Sequence, residues 1–205
     1  VSERDVREGL SELPNAKKGV VMRIAPSPSG ALHVGSALTA AISIAYVNKY
    51  GGKFICRIED TNPENIYEPA YDLIEKDIKW LAKDKVEVVV QSDRLDLYYN
   101  YAKRLIEKGV AYVCTCPADD FRRSVKNKEA CACRKLDIER NEERWRKMFE
   151  VFGPGEAVLR FKSDIKHPNP AMRDFPLARI NETLHPRQKK KYRVWPLMNL
   201  SVTVD

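Results

Sequence analysis

Two groups of residues in this sequence have the types and spacing that chemistry needs. The first is "CTC" at Cys114 and Cys116, followed after fourteen intervening residues by "CAC" at Cys131 and Cys133. Four thiolates on two short knuckles can close a tetrahedral Zn²⁺ site, and with every position held by protein the metal would be structural. Buried free thiols are the plainer alternative, but two matched pairs are not what a core produces. The second group is "RIAPSPSGALHVGSAL", residues 23 to 38. Its prolines fix φ, Gly30 lets backbone approach a ligand, and the helix expected next offers unpaired N–H groups and a positive dipole end to phosphate. His33, expected in the first turn of that helix, could donate to a phosphate oxygen as charge builds in a displacement at phosphorus. Gly35 removes a side chain where an adenine ring could lie flat. Alone, a His-x-Gly turn is equally the signature of an ordinary surface histidine beside a Pro-rich loop.

Positioning such groups takes regular elements, and the hydrophobic pattern supplies them. "VVMRIA", "KFICRIED" and "VEVVVQSD" are β-branched strands, with Cys56 of the second a core residue. "ALHVGSALTAAISIAYVNKYGG", "EPAYDLIEKDIKWLA" and "RLDLYYNYAKRLIEKG" have helical spacing, the last with Asp93 as candidate N-cap and Gly109 as its stop. Strand alternating with helix implies βαβ units and a parallel sheet, half of a doubly wound nucleotide-binding fold. After "AYVCTC" the rhythm changes: a densely charged stretch contains the amphipathic "RNEERWRKMFE", "EAVLRFKSD" returns to strand, and prolines 168, 170, 176 and 186 interrupt regularity. The basic run "HPRQKKKYRVW" leads into a strand-like "NLSVTVD". The expected organisation is a polar segment over 1–18, the first half of a catalytic fold over 19–110, an insertion over 111–190, and a return to the first sheet over 191–205.

The pair "R-x-A-P-S-P-S-G-x-L-H-V-G" and "GGKFICRIEDTNPE" resembles the class I aminoacyl-tRNA synthetases of the glutamate and glutamine branch over nearly the whole chain. Ala-Pro-Ser-Pro and "RIEDTNPE" are similar to the glutamate enzymes, and "LPNAKKGVVMR" with "YRVWPLMNLSVTVD" to their archaeal type. The resemblance implies an α/β fold with a Rossmann-like parallel sheet and an inserted zinc-containing α+β domain that grips the tRNA acceptor stem. It implies ligation of L-glutamate to tRNA through a glutamyl-adenylate, with ATP and Mg²⁺. Arg23 then corresponds to the arginine that pairs with the glutamate side chain, Ser27 to the serine that bonds the amino acid, and Glu59 to the acid that holds its ammonium group; Ala25 shares that pocket. Pro26, His33, Gly35 and Ser36 correspond to the ATP-binding turn, with His33 as the catalytic group. Two departures stand out: Ser36 replaces the family's second histidine, and Met198 stands where related enzymes carry a tyrosine. The lysine motif that acts on ATP phosphates and the anticodon-binding domain would lie beyond Asp205, in a missing C-terminal part of a longer polypeptide.

Composition agrees with an anionic partner. The chain has 205 residues, 32% of them charged, and a formal net charge of +7. No apolar run could span a membrane, five cysteines without a secretory signal argue for reduced thiols, and the cytoplasm is the expected compartment. Arg187, Lys189 and Lys190 in the basic run, and Arg173 and Arg179 in "AMRDFPLARI", are candidate tRNA contacts, although a charge run is also what a solvated face looks like. Three other functions remain open: a glutamyl-queuosine tRNA synthetase-like paralogue, a non-catalytic zinc-stapled RNA-binding module, and a small-molecule nucleotidyltransferase.

Overall fold

The parallel strands form where β-branched runs were expected. In the computed structural model, which describes residues 9–205, β1 (Val20–Ile24), β2 (Gly52–Ile58) and β3 (Glu87–Val90) make a three-stranded parallel sheet in that order. β1 pairs with β2 from Val20 opposite Gly52 to Ile24 opposite Cys56, and β2 with β3 from Ile55 opposite Glu87. The crossovers carry α1 (Val34–Tyr50) and α2 (Ala70–Ala82). Ile24, Phe54, Cys56 and Ile58 pack with Ala40 of α1 and Ala70, Ile74 and Ile78 of α2. Each of those isoleucines contributes roughly 1.5 to 3 kcal/mol by leaving water.

Gly52 is where the first crossover turns into strand. Its φ is +126°, and a Cβ there would land 1.9 Å from the Val20 carbonyl oxygen. Only glycine permits both that dihedral and the backbone approach.

A second sheet is antiparallel, with β4 (Ala111–Cys114), β5 (Val158–Phe161), β6 (Pro176–Ile180) and β7 (Val194–Pro196) in sequence order. Helices α3 (Leu95–Glu107), α4 (Ala118–Lys126), α5 (Ile138–Glu150) and α6 (Met198–Val204) accompany it. Leu95, Tyr98, Ala102 and Ile106 of α3 pack with Trp145 and Met148 of α5 and with Leu159, Leu177, Val194 and Trp195 of the strands. The chain divides into two compact units: the described residues up to Asp60 with Asn65–Gln91, and Thr61–Glu64 with Ser92–Asp205.

Four local expectations are corrected. Asp93 does not cap α3: a 3-10 turn over Gln91–Arg94 precedes it, Arg94 takes the cap position, and the Asp93 carboxylate accepts instead from Arg187 and Gln188. His33 is the N-cap of α1 rather than a residue of its first turn. β7 pairs with β6 in the antiparallel sheet and does not return to the parallel one. "NLSVTVD" is helix: Leu200 and Val204, one turn apart, both join the core, and the hydroxyls of Ser201 and Thr203 bond the carbonyls of Leu197 and Asn199 four residues back. Packing of that apolar face outweighs the β-propensity of Val202, Thr203 and Val204. Pro176, counted as a breaker, opens β6, a strand position that tolerates its missing N–H. Among the described residues no helix is long and apolar enough to cross a membrane.

Candidate functional site

The Pro-rich turn runs from the end of β1 to the N-terminus of α1, beyond the carboxyl ends of the parallel strands. In open α/β sheets this is where ligands bind. Backbone bonds tie the turn to its surroundings: Glu59 N donates to the Pro26 carbonyl at 2.9 Å, and Tyr67 N to that of Pro28 at 2.8 Å. Thus the loop after β2 is laced onto the loop after β1. Arg23, Ala25 and Pro26 line one 250 Å³ recess with Ser36 and Thr39. Arg23 and Ser27 are exposed, and among the described residues no carboxylate pairs with the Arg23 guanidinium.

At the helix end, the Gly35 N–H donates to His33 Nδ1 at 3.0 Å. An imidazole that accepts at Nδ1 carries its proton on Nε2, so the cap selects the tautomer whose outward edge is a donor. Gly35 is needed for that cap, since a Cβ there would lie 2.8 Å from His33 Cε1. The glycine therefore accommodates the histidine ring, a reason sequence alone did not supply.

Glu59 follows β2. Its Oε1 accepts from Nη2 of Arg57 at 2.6 Å, and Arg57 is itself buried in the strand. The neighbouring Asp60 is buried and accepts from the Tyr71 hydroxyl at 2.7 Å. A carboxylate fixed through one oxygen is a preorganised acceptor for a cation at the other.

The cysteine cluster assembles in the other unit. Cys114 ends β4, Cys116 follows it, Cys131 caps a short 3-10 turn over Ala132–Lys135 and Cys133 lies within that turn; all four ligand atoms lie within 4.8 Å of one another. The Cys114–Cys131 and Cys116–Cys133 sulfur pairs are 3.9 and 3.6 Å apart. Tetrahedral zinc with thiolate bonds near 2.3 Å demands sulfur separations of about 3.8 Å, so the residues fit that metal. Their protonation is uneven. The hydrogen bond shared with Cys114 holds the Cys131 thiol down at about 5 and pushes Cys114 up in return, while burial raises Cys116 to about 11. Burial opposes ionisation of Cys133 as well, but the Thr115 N–H and the Arg144 guanidinium outweigh it and hold that thiol low.

Around the cluster stand residues that sequence reasoning missed. Arg144 of α5 donates to Cys133 Sγ and to the Val113 carbonyl, both at 3.2 Å. Asn141, one turn earlier, receives the Val113 N–H at 2.9 Å. Tyr112 donates to Asp174 Oδ2 at 2.8 Å, which also accepts from Arg134 Nε at 2.9 Å. In the sequence these were charges and polar groups on an amphipathic helix and a strand; only the pairing of β4 with β5 and the docking of α5 give them partners. Cys56 is buried apart from the cluster, and burial pushes its thiol up to about 12, as befits a core residue.

The other candidates are scattered through the second unit. Met198 begins α6 and is 67% exposed. Arg173 is buried, and its guanidinium donates to the carbonyls of His167, Val125 and Pro168. Arg179 donates to Asn62 Oδ1 at 2.7 Å. Arg187 pairs with Asp93, whereas Lys189 and Lys190 are exposed. Their loop is built on His185, which is fully buried, stacks on Trp195 at 4.8 Å and accepts at Nδ1 from the N–H groups of Arg187 and Gln188.

Comparison with known proteins agrees with this arrangement. Residues 19–205 match the family model of class I tRNA synthetases (E and Q), catalytic domain. A glutamate--tRNA ligase of Methanobrevibacter smithii is 54% identical over 198 residues, which are 97% of this chain and 36% of the relative. Those of Methanocaldococcus jannaschii and Pyrococcus furiosus are 50% and 47% identical and are covered to 37% and 36% of their length. This chain thus spans little more than a third of the relatives it matches. The crystal structure of a glutamate tRNA ligase from Elizabethkingia meningosepticum superposes with a TM-score of 0.65 at 20% identity, covering 91% of this chain and 41% of that one, and shares the fold. With residues 19–205 matched and the fold shared, the chain belongs to the catalytic-domain family of the class I tRNA synthetases of the glutamate and glutamine type.

Proposed function

We propose that this chain is part of the catalytic region of a glutamate--tRNA ligase, with residues 19–110 as the first half of the catalytic fold and 111–190 as the acceptor-stem insertion, on whose sheet and core residues 194–204 pack. L-glutamate attacks the α-phosphate of ATP, held with Mg²⁺, and the adenylate passes its acyl group to the 3′-terminal ribose of tRNA(Glu), with tRNA(Gln) a second candidate acceptor. Arg23 meets the side-chain carboxylate in a fork geometry that lysine lacks, Ser27 and Ala25 complete that end, and Glu59, steadied by Arg57, takes the ammonium group. Met198 is the residue offered where relatives use a tyrosine. Pro26, Gly35 and Ser36 shape the ATP turn. Zn²⁺ on Cys114, Cys116, Cys131 and Cys133 staples the insertion, and the cytoplasm is where such a protein works.

The observation that carries this reading is the His33 cap. With Nδ1 committed to Gly35 N, Nε2–H faces outward at the start of a helix whose free N–H groups already favour phosphate. Charge developing on a displaced pyrophosphate is what such donors stabilise. The test needs the polypeptide extended past Asp205, because this chain covers about a third of its relatives. Pyrophosphate exchange dependent on glutamate and measured with tRNA present is expected for the longer chain, and Arg23→Ala should cost it on the order of 2 to 5 kcal/mol in kcat/KM for glutamate while leaving the fold intact. Tight tRNA binding with no exchange for any amino acid would instead favour a non-catalytic RNA-binding module.

A further inference from the structure

Away from the first turn, a 540 Å³ cavity opens beside the cysteine knuckle, between α4 and the loop that precedes β6. Phe121, Val125, Phe175 and Pro176 give it apolar walls, and Lys126, Arg160 and Arg173 bring positive charge. The charge is not balanced from within. Arg173, only 5% exposed, donates to three neutral carbonyls, at 2.5 Å to His167 and at 2.8 Å to both Val125 and Pro168. Arg160 stacks 3.4 Å from the centre of the Phe121 ring, reaches the Asp174 carbonyl at 3.5 Å, and keeps its Nε buried without a hydrogen-bond partner among the described residues. The one carboxylate in the wall, Asp174, is already engaged by Tyr112, by Arg134 and by the Ser163 N–H. Arg160 also feels the Cys114 sulfur, but Arg173 is out of water with only carbonyl dipoles for company, which is costly unless an anion arrives.

We infer that this cavity is a binding site for a nucleoside monophosphate group, its phosphate drawn to Arg160 and Lys126 and its base laid against the Phe175 and Pro176 wall. A flat base uses the apolar surface and a phosphate answers the unbalanced charge, whereas a purely apolar ligand would leave the guanidiniums as they are. The volume falls within the range of small-molecule sites. The same chemistry is presented by a free nucleotide and by an unpaired nucleotide of an RNA strand; only the second source depends on the tRNA ligase proposal.

Amide NMR titration of the zinc-loaded chain tests this with AMP, adenosine, inorganic phosphate and a single-stranded RNA tetramer. AMP should shift residues 121–126 and 170–176, bind there at least tenfold more tightly than adenosine, and lose tenfold or more in Lys126→Glu, an exposed position whose change leaves the parallel-sheet signals in place. Arg160→Gln should act in the same direction. A tetramer that binds tenfold or more tighter than AMP at those residues identifies RNA as the source, and equal affinity identifies the free nucleotide. Equal affinity for AMP and adenosine, shifts confined to residues 23–36, or an indifferent Lys126→Glu would overturn the inference.

Discussion

At Cys133 two groups converge, the guanidinium of Arg144 from α5 at 3.2 Å and, from inside the facing knuckle, the hydroxyl of Thr115 at 3.7 Å. Cys131 is held low by the hydrogen bond it shares with Cys114, and Cys133 by the Thr115 N–H and the Arg144 guanidinium against its burial, while Cys114 and Cys116 are raised. Zinc takes all four as thiolates, so at pH 7 only the groups still protonated give up protons on binding. Titrating zinc into the metal-free chain in a weakly buffered indicator should therefore release about two to three protons per metal rather than the four of ordinary thiols. As pH falls through the Cys131 value of about 5, that thiolate protonates too and affinity should drop steeply. Cys131→Ser should lose the metal on mild dialysis and loosen residues 111 to 135, read by amide exchange; a metal-free wild type with a protected knuckle would refute the zinc site. The His33 cap offers a second test. Gly35→Ala places a methyl group against a ring that can swing aside, so the fold should lose only about 1 kcal/mol, the worth of an N-cap. Nucleotide binding at the turn should suffer far more, because the swung ring no longer presents Nε2.

Among the elements, the contrast between Gly35 and Gly52 separates a side-chain demand from a backbone one. At Gly52 the clash is with the Val20 carbonyl, which is part of the β1–β2 ladder, and the φ of +126° is closed to other residues. Gly52→Ala should cost more than 3 kcal/mol, a loss reserved for strained backbone and broken core, and equilibrium urea unfolding of the isolated chain measures it. The elements themselves were largely legible: the runs at 20–25, 53–60 and 86–93 became the parallel strands, and the periodic stretches between them became helices. What escaped includes α4 and β7, which no reading singled out, β6, masked by Pro176, and α6, whose β-branched residues read locally as strand. The last two depend on partners distant in sequence, since Pro176 pairs with Arg160 and the α6 face packs on a core built from α3, α5 and the antiparallel strands.

Among the described residues, α1 carries an exposed apolar stripe. Val34, Leu38 and Ile42 are spaced four apart on α1 and are 85%, 51% and 37% exposed, and Val21 on the unpaired side of β1 is 69% exposed. An exposed apolar stripe along one helix promotes association. The relatives carry nearly two thirds of their length outside the matched region. This chain alone should self-associate reversibly and bind an apolar dye, and Leu38→Glu should suppress both in sedimentation and fluorescence without lowering Tm. A dye-indifferent monomer would show that the stripe is not sticky at working concentration.

The sequence by itself determined the alternation that makes a parallel sheet, the glycine and proline punctuation of the first turn, and the two cysteine pairs, because each is written in residues close together along the chain. Tertiary structure decided which tautomer His33 presents, that Arg57 steadies Glu59, that Arg144 of α5 reaches back to Cys133, and that Arg173 spends its donors on backbone carbonyls while its charge stays beside a cavity. The physical reason is common to all four. A side chain's type and spacing say what it can donate or accept, but which partner it meets, and how much water is left around it, is settled only when strands pair and helices dock.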